Sequence, residues 1–195
     1  MMQLIAGLIL FMLPHSLTLF APAQQQRWRA SSGIAFMVAY ALLSLAGLYL
    51  IVTGYAAARY EPTILWSPPV AMRHFATLLL LFAFILLVAA YVPGNAIKHR
   101  IGHPMLLSVK VWALSHLLVN GTLADVLLFG VFLLWAVALF VVLRRRDRLA
   151  SAGSVATAAR PSRGATLAAV IGGIVVWAVF ALFLHQRLIG VAPFG

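Results

Sequence analysis

Six apolar runs of near-transmembrane length constrain the fold of this chain more than any other feature. A bilayer core about 30 Å thick is crossed by about 20 helical residues, and every backbone polar group inside it must be bonded within the protein. The runs lack the alternation typical of membrane β-strands, so helices are expected. We therefore predict an all-α integral membrane protein, a six-transmembrane-helix bundle with spans at about residues 3–20, 33–55, 70–92, 104–119, 122–143 and 165–184. A polar loop over residues 24–32 and a flexible segment rich in Ser, Ala and Gly over residues 149–164 are predicted between spans.

Composition supports this class. The 195 residues are 64% hydrophobic and 9% charged, and the mean hydropathy is +1.05. So much apolar surface cannot be hidden in one water-soluble core, and we predict a single transmembrane domain over residues 1–195. The net charge of +11 comes from arginines beside the apolar runs, which favours topology signals and contact with anionic headgroups rather than a nucleic-acid partner.

The distribution of basic residues in the loops predicts the orientation. Only Arg59, Arg73 and Arg187 lie on one side. The other side carries ten basic residues: Arg27, Arg29, Lys98, Arg100, Arg144, Arg145, Arg146, Arg148, Arg160 and Arg163. By the positive-inside rule this richer side is cytoplasmic, and both termini are predicted to be periplasmic.

The residue types limit the possible chemistry. There is no cysteine, which removes iron–sulfur clusters, thiolate ligands and covalently attached haem. The only acids are Glu61, Asp125 and Asp147, too few for a carboxylate cage or a paired-carboxylate mechanism. Six histidines remain as the main residues able to bind a metal.

The stretch from His103 to Asp125 carries ionisable groups in or beside two spans, and such groups usually mark a site. On a straight helix His116 shares a face with Trp112, whereas His103 and Lys110 lie on the opposite face. His103 is interpreted as an interfacial residue. Lys110 is expected to extend toward the interface or to bind an anion such as a haem propionate. Asp125 forms a predicted capping box with Thr122.

Two histidines compete as the partner of His116. His15 follows Pro14, which should kink the first span, and His74 lies near the outer end of the third span beside Arg73. The residues alone leave this choice open. His99 and His185 are interpreted as interfacial and dispensable. Two imidazoles with aromatic neighbours fit a bis-histidine b-type haem better than zinc, which takes four ligands.

Several motifs together resemble the NnrU family of bacterial membrane proteins. They are His15-Ser16, Ala41-Leu42-Leu43-Ser44-Leu45-Ala46-Gly47, Leu65-Trp66-Ser67-Pro68-Pro69, Arg73-His74, His103-Pro104-Met105, Lys110-Val111-Trp112-Ala113 and Ser115-His116-Leu117-Leu118-Val119-Asn120-Gly121. This resemblance implies a multi-pass protein of the bacterial inner (cytoplasmic) membrane, linked to nitrite and nitric oxide metabolism in denitrification.

NnrU proteins are in turn similar to zeta-carotene isomerase, a membrane enzyme with a non-covalent haem b that isomerises a cis double bond. Its haem histidines lie in a His-Ser motif and in a Trp-x-x-Ala-His motif. The resemblance therefore implies His15 and His116 as the ligand pair, rather than His74 and His116, and a carotenoid-like apolar substrate. This chain has Ala113 where the isomerase has a cysteine three residues before its second ligand, so a thiolate ligand switch is not possible here.

The prediction is thus a haem b protein with iron bound by His15 and His116, possible cofactor contacts from Trp112, Lys110, Arg73 and His74, and redox or isomerase-like activity. The competing hypothesis is a haem-free transporter or accessory protein in which Lys110, His116 and Asp125 line a path. His103-Pro104 is also similar to an element of membrane methyltransferases, a more distant alternative. The sequence does not specify an oligomeric state.

Overall fold

A computed structural model describes residues 1–151 and 160–193, and within these ranges the protein is helical and has no β-strand. The helices are α1 (Met2–His15), α2 (Leu17–Phe20), α3 (Pro22–Ala58), α4 (Ala71–Tyr91), α5 (Ala96–Ile101), α6 (Pro104–Val119), α7 (Leu123–Ser151), α8 (Arg163–Val179), a π-helical turn (Phe180–Leu184) and α9 (His185–Ile189). The predicted all-α class is confirmed.

Within the described residues, four helical segments are long and apolar enough to cross a membrane, as expected for a multi-pass membrane protein. They are Pro22–Ala58, Ala71–Tyr91, Leu123–Ala150 and Arg163–Ile189. The remaining apolar helices, α1 and α6, have 14 and 16 residues. At 1.5 Å per residue they are about 21 and 24 Å long, less than the thickness of a bilayer core. The predicted count of six spans is therefore not confirmed, although a helix lies at each of the six positions.

The first predicted span is interrupted beside His15. Helix α1 ends at His15, Ser16 caps it with φ −90° and ψ −4°, and the short α2 follows. Pro14 lies in the last turn of α1 and has no N–H to donate to the carbonyl four residues earlier. The predicted local break next to His15 is confirmed.

The predicted polar loop over residues 24–32 is wrong. Helix α3 begins at Pro22, and only Ser32 departs from helical geometry, with φ −151° and ψ 58°. Proline is favoured in the first turn of a helix, and the glutamines and arginines that follow are good helix formers. The polar residues at the start of α3 therefore do not interrupt the helix, although they are unsuited to the apolar core of a bilayer.

The fifth span, predicted over residues 122–143, corresponds to the first part of helix α7, and its end in the membrane stays a prediction. Helix α7 continues through the arginine run to Ser151, because arginine favours helix as strongly as most apolar residues do. The flexible segment predicted over residues 149–164 lies mostly outside the described residues, which omit 152–159. Where the chain is described again, the Ser162 hydroxyl accepts a hydrogen bond from the Ala165 N–H and caps α8.

The chain divides into two compact units. The first unit, residues 1–67 and 121–139, contains α1, α2, α3 and the beginning of α7. Its centre is the close packing of α1 on α3 through glycines. A Cβ atom at Gly7 would lie 2.6 Å from Ile51 N, and one at Gly47 would lie 2.6 Å from Phe11 N. Small residues allow helix backbones to approach closely in membranes.

Gly54 on α3 tests this packing, because a Cβ atom there would collide with the backbone of Leu4, which is 0% exposed. We expect Gly54→Ala to lower the free energy of unfolding by about 1–3 kcal/mol, the usual cost of overpacking. Gly33, on the same helix, is the matched control, since a Cβ there meets nothing within 4 Å. Gly33→Ala should be neutral or stabilising by up to about 1 kcal/mol. Thermal unfolding in detergent measures both, and equal midpoints for the two variants would contradict the packing.

The second unit, residues 68–120 and 140–195, contains α4, α5, α6, the end of α7, α8, the π-helical turn and α9. Helices α6 and α8 both pack on α4. The buried Ser108 hydroxyl donates a hydrogen bond of 2.7 Å to the Ala83 carbonyl, and Gly173 of α8 lies against the backbone of Ile85. Among the described helices, α6 and α8 do not pack closely on each other, so α4 is the central helix of this unit.

Candidate functional site

In the first unit, His15 lies in an aromatic environment. Its ring stacks on Phe11 with centroids 4.2 Å apart and an interplanar angle of 18°. Tyr40 of α3 and Trp135 of α7 lie beside it, with ring centroids at 5.1 and 6.1 Å. The His15 Nδ1–H donates a hydrogen bond of 2.6 Å to the Phe11 carbonyl, one helical turn earlier. The imidazole is thus held by its own helix and flanked by rings from two others.

In the second unit, His116 is held in the same way. Its Nδ1–H donates a hydrogen bond of 2.8 Å to the Trp112 carbonyl, again four residues earlier. The Trp112 ring packs against the imidazole, with centroids 5.2 Å apart. Both histidines therefore use one local arrangement, in which an aromatic residue at position i−4 supplies a carbonyl acceptor and a packing surface.

This hydrogen bond determines which ring nitrogen can bind a metal. A carbonyl oxygen only accepts, so Nδ1 must carry the proton, and in a neutral imidazole the lone pair is then on Nε2. Histidines that ligate metals usually donate their other ring N–H to a carbonyl or carboxylate, which fixes the tautomer and the orientation of the ring. His15 and His116 both have the tautomer and the support of Nε2 iron ligands.

Trp135 adds an unusual feature to the surroundings of His15. Its indole Nε1–H is buried and has no hydrogen-bond partner among the described residues, while its ring stands edge-on to His15 at an interplanar angle of 82°. An unpaired buried donor costs free energy, so this indole N–H is available to a group bound beside His15. Trp135 could not be identified from the sequence, because it is far from His15 along the chain and only the fold brings the two side chains together.

Two predicted site residues lie on the other face of α6, as the helical spacing predicts. The Lys110 ammonium lies 3.7 Å from the centre of the Phe140 ring, a cation–π contact. His103 Nε2 hydrogen-bonds Asp147 Oδ2 at 2.9 Å. His103 thus pairs with the end of α7, and its side chain does not cap α6. Lys110 as a ligand for a propionate stays a prediction.

Arg73 and His74 lie in the first turn of α4, and both side chains are exposed. The structure places neither in the lining of the cavity beside His116. Their predicted roles, Arg73 as a propionate ligand and His74 as the rival iron ligand, stay predictions.

Asp125 is a structural cap. It is 4% exposed, and its Oδ2 accepts hydrogen bonds from the Thr122 N–H at 2.8 Å and the Thr122 hydroxyl at 2.6 Å. The Tyr55 hydroxyl donates to Oδ1 at 2.5 Å, and the Asp125 N–H donates to the Thr122 hydroxyl at 3.3 Å. The predicted capping box is confirmed, and three donors occupy the carboxylate that the transporter hypothesis assigns to a path.

His185, interpreted from the sequence as interfacial and dispensable, lines a cavity in the second unit, and its being dispensable stays a prediction. A cavity of about 90 Å³ in the second unit is lined by His116 and Trp112 of α6 and also by Trp177, Phe180 and His185. A regular helix would place His185 about 80° around the axis from Trp177, eight residues earlier, so the spacing alone gave no signal for this cavity. The apolar sequence around it suggested only a span end.

Comparisons with known proteins identify the family. A family model described as NnrU protein matches residues 3–193, nearly the whole chain. No curated protein and no solved structure matches. Within the described residues there is also no group of three or more histidine, aspartate or glutamate side chains that could hold a metal ion, so a protein-only metal site of that size is not formed there.

Proposed function

This chain belongs to the NnrU family, and on that premise we propose that it binds one haem b through the imidazoles of His15 and His116. The observation that carries the proposal is the shared arrangement of the two histidines, each with Nδ1–H bonded to the carbonyl at position i−4. Haem iron needs only axial ligands from the protein, and two neutral imidazoles satisfy a six-coordinate b-type haem.

The surroundings of His15 support an apolar macrocycle. Phe11, Tyr40 and Trp135 present aromatic surface to the imidazole, and flat apolar cofactors are held by such walls together with a few polar groups. The Trp135 indole N–H is a buried donor suited to a polar edge of the cofactor or to a molecule held beside it. The residues present therefore fit the group.

A bound haem would supply one-electron redox chemistry, and the protein would set its potential. The carbonyls of Phe11 and Trp112 would hold the imidazoles in one orientation and one tautomer. Aromatic and aliphatic neighbours keep water away from the ligands. With Ala113, which is 0% exposed, in place of a thiol, imidazole is the axial ligand these positions offer.

The function we propose is a redox role in the bacterial inner membrane linked to denitrification, or a redox-gated isomerisation of an apolar polyene. The first follows from the family and the second from its resemblance to zeta-carotene isomerase. Both require the same low-spin haem with two nitrogen ligands. The protein's residues would bind and orient an apolar substrate against the cofactor and exclude water from it.

A visible spectrum of the protein in detergent tests the proposal. With haem added and the excess removed, we expect a sharp Soret band and, after reduction with dithionite, resolved α and β bands of a six-coordinate low-spin iron. Haem in the same detergent without protein is the control. A protein that stays colourless, or a high-spin spectrum, would contradict ligation by two histidines.

A further inference from the structure

The cavity beside His116 has the character of a ligand site. It lies within the second unit, over α4, in the gap that α6 and α8 leave because both pack on α4 and not on each other. Phe84 of α4, Trp112 of α6, and Trp177 and Phe180 of the last helical segment form its wall. Its volume of about 90 Å³ corresponds to about three water molecules, so it can take one edge of a single ring.

The π-helical turn over Phe180–Leu184 separates α8 from α9, and His185 follows it directly. Turns of this kind insert an extra residue into a helix and are frequent at functional sites. Here the wider turn begins at the wall residue Phe180, follows the wall residue Trp177 by three residues, and ends directly before the polar residue His185. The backbone irregularity therefore coincides with the change from apolar wall to hydrogen-bonding group.

The tautomer of the neutral His185 ring is fixed by a hydrogen bond from its Nδ1–H. Its Nδ1–H donates to the Val191 carbonyl at 2.7 Å, so the neutral ring presents Nε2 as an acceptor. A ligand that bonds to it must donate a hydrogen. A hydroxyl meets this requirement, whereas a carbonyl or an anion does not. His185 is partly buried, so the bond would form at the edge of the aromatic wall.

We propose that this cavity binds the hydroxyl-bearing edge of the ring of a hydroxylated aromatic lipid of the hydroquinone class, whose hydroxyl donates to Nε2 of His185. An aromatic wall stacks well on such a ring. Part of the lining comes from Ala71–Tyr91 and Arg163–Ile189, two of the helical segments long and apolar enough to cross a membrane, which suits a ligand dissolved in the bilayer. The oxidised, quinone form carries only acceptors and is disfavoured by this histidine. None of these steps depends on haem.

The test uses trimethylhydroquinone as the probe, kept reduced by ascorbate, with equilibrium dialysis against protein in detergent and against empty micelles. We expect binding above micelle partition, and about tenfold weaker binding of trimethylbenzoquinone and of the hydroquinone dimethyl ether, the scale of one lost hydrogen bond. Equal binding of all three compounds, or no binding above partition, would overturn the proposal.

Variants locate the site. His185→Phe keeps a ring but removes the acceptor, and should weaken hydroquinone binding about tenfold. His99→Phe, on α5 and outside the cavity lining, is the matched control and should bind as the parent does. Ala181 lines the cavity and is 9% exposed, so Ala181→Leu should fill it and abolish binding without touching His185. Unchanged binding in His185→Phe and Ala181→Leu would contradict the site.

The haem spectrum, recorded on the same samples, separates this proposal from the preceding one. A protein with the low-spin spectrum that does not bind the hydroquinone would refute the cavity as its site and leave the haem proposal intact. If the protein is colourless and binds the hydroquinone, and if His185→Phe loses this binding, the cavity is confirmed as the hydroquinone site and the haem proposal is refuted. Size-exclusion profiles equal to that of the parent establish that each variant is folded.

Discussion

Alanine in place of either His15 or His116 is expected to abolish the low-spin haem spectrum. Each imidazole would occupy one axial position, and the loss of either leaves the iron five-coordinate and high-spin or without haem. Haem affinity should fall by a factor of about 100 or more, because loss of a group that only orients a ligand already costs about 10–100-fold. Spectral titration of each variant with haem gives the affinity, and helical circular dichroism equal to that of the parent shows that the fold persists.

Added imidazole provides a sharper form of this experiment. A small ligand that enters the vacated axial position should restore the low-spin bands in His15→Ala and in His116→Ala, as expected for a lost ligand and not for a lost packing residue. His74→Ala is the rival variant, since His74 is exposed at the start of α4. If His74→Ala loses the spectrum while His15→Ala keeps it, the pair is His74 and His116. His99→Ala, also exposed, should behave as the parent does.

The parts of the fold that the sequence predicted well are those set by local chemistry. Helix α6 has the predicted bounds of residues 104–119, because a proline can begin a helix and the Asn120-Gly121 pair favours a turn. The capping box at Thr122 and Asp125 formed as its spacing predicts. The break beside His15 follows from the missing N–H of Pro14.

The errors come from treating polarity as a helix terminator. Residues 24–31 and the arginine run of α7 are polar but helical. Arginine and glutamine favour the helix in water as well, so a helix can continue beyond the apolar layer of the membrane. Hydropathy predicts where a helix enters the membrane and not where the helix ends. Helix α5 was missed because its Lys98-His99-Arg100 run is polar. The π-helical turn was missed because its residues continue the apolar pattern of the helix before it.

The sequence predicted which histidines form the candidate site, but it did not predict which side chains surround them. His15 and His116 were selected as buried imidazoles, and the aromatic residues four positions earlier, Phe11 and Trp112, could have been recognised as their acceptors from spacing alone. Trp135 and His185 could not, because each reaches its site through tertiary packing over a long separation in the chain. The pairing of His103 with Asp147 is of the same kind.

Asp125→Ala is expected to have the largest effect on stability of any single substitution in the first unit. The change would leave three donors, the Tyr55 hydroxyl and the N–H and hydroxyl of Thr122, without their acceptor in a region where Asp125 is 4% exposed. An unsatisfied buried polar group costs about 1–3 kcal/mol, and because such losses are not additive we expect about 3–5 kcal/mol in total. Unfolding in detergent by heat or by sodium dodecyl sulfate measures the loss.

Asp147→Ala is the matched control, because the Asp147 side chain is 46% exposed in its ion pair with His103 and a pair of that exposure contributes about 1 kcal/mol or less.

Asp125→Asn decides between the cap and the transport hypothesis. A cap loses stability in this variant, since an amide has one acceptor oxygen for the three donors and adds donors of its own. A carboxylate on a proton or ion path would instead leave stability near that of the parent while abolishing substrate-dependent flux in vesicles. Because the Tyr55 hydroxyl and both groups of Thr122 already bond the carboxylate, we expect the loss of stability.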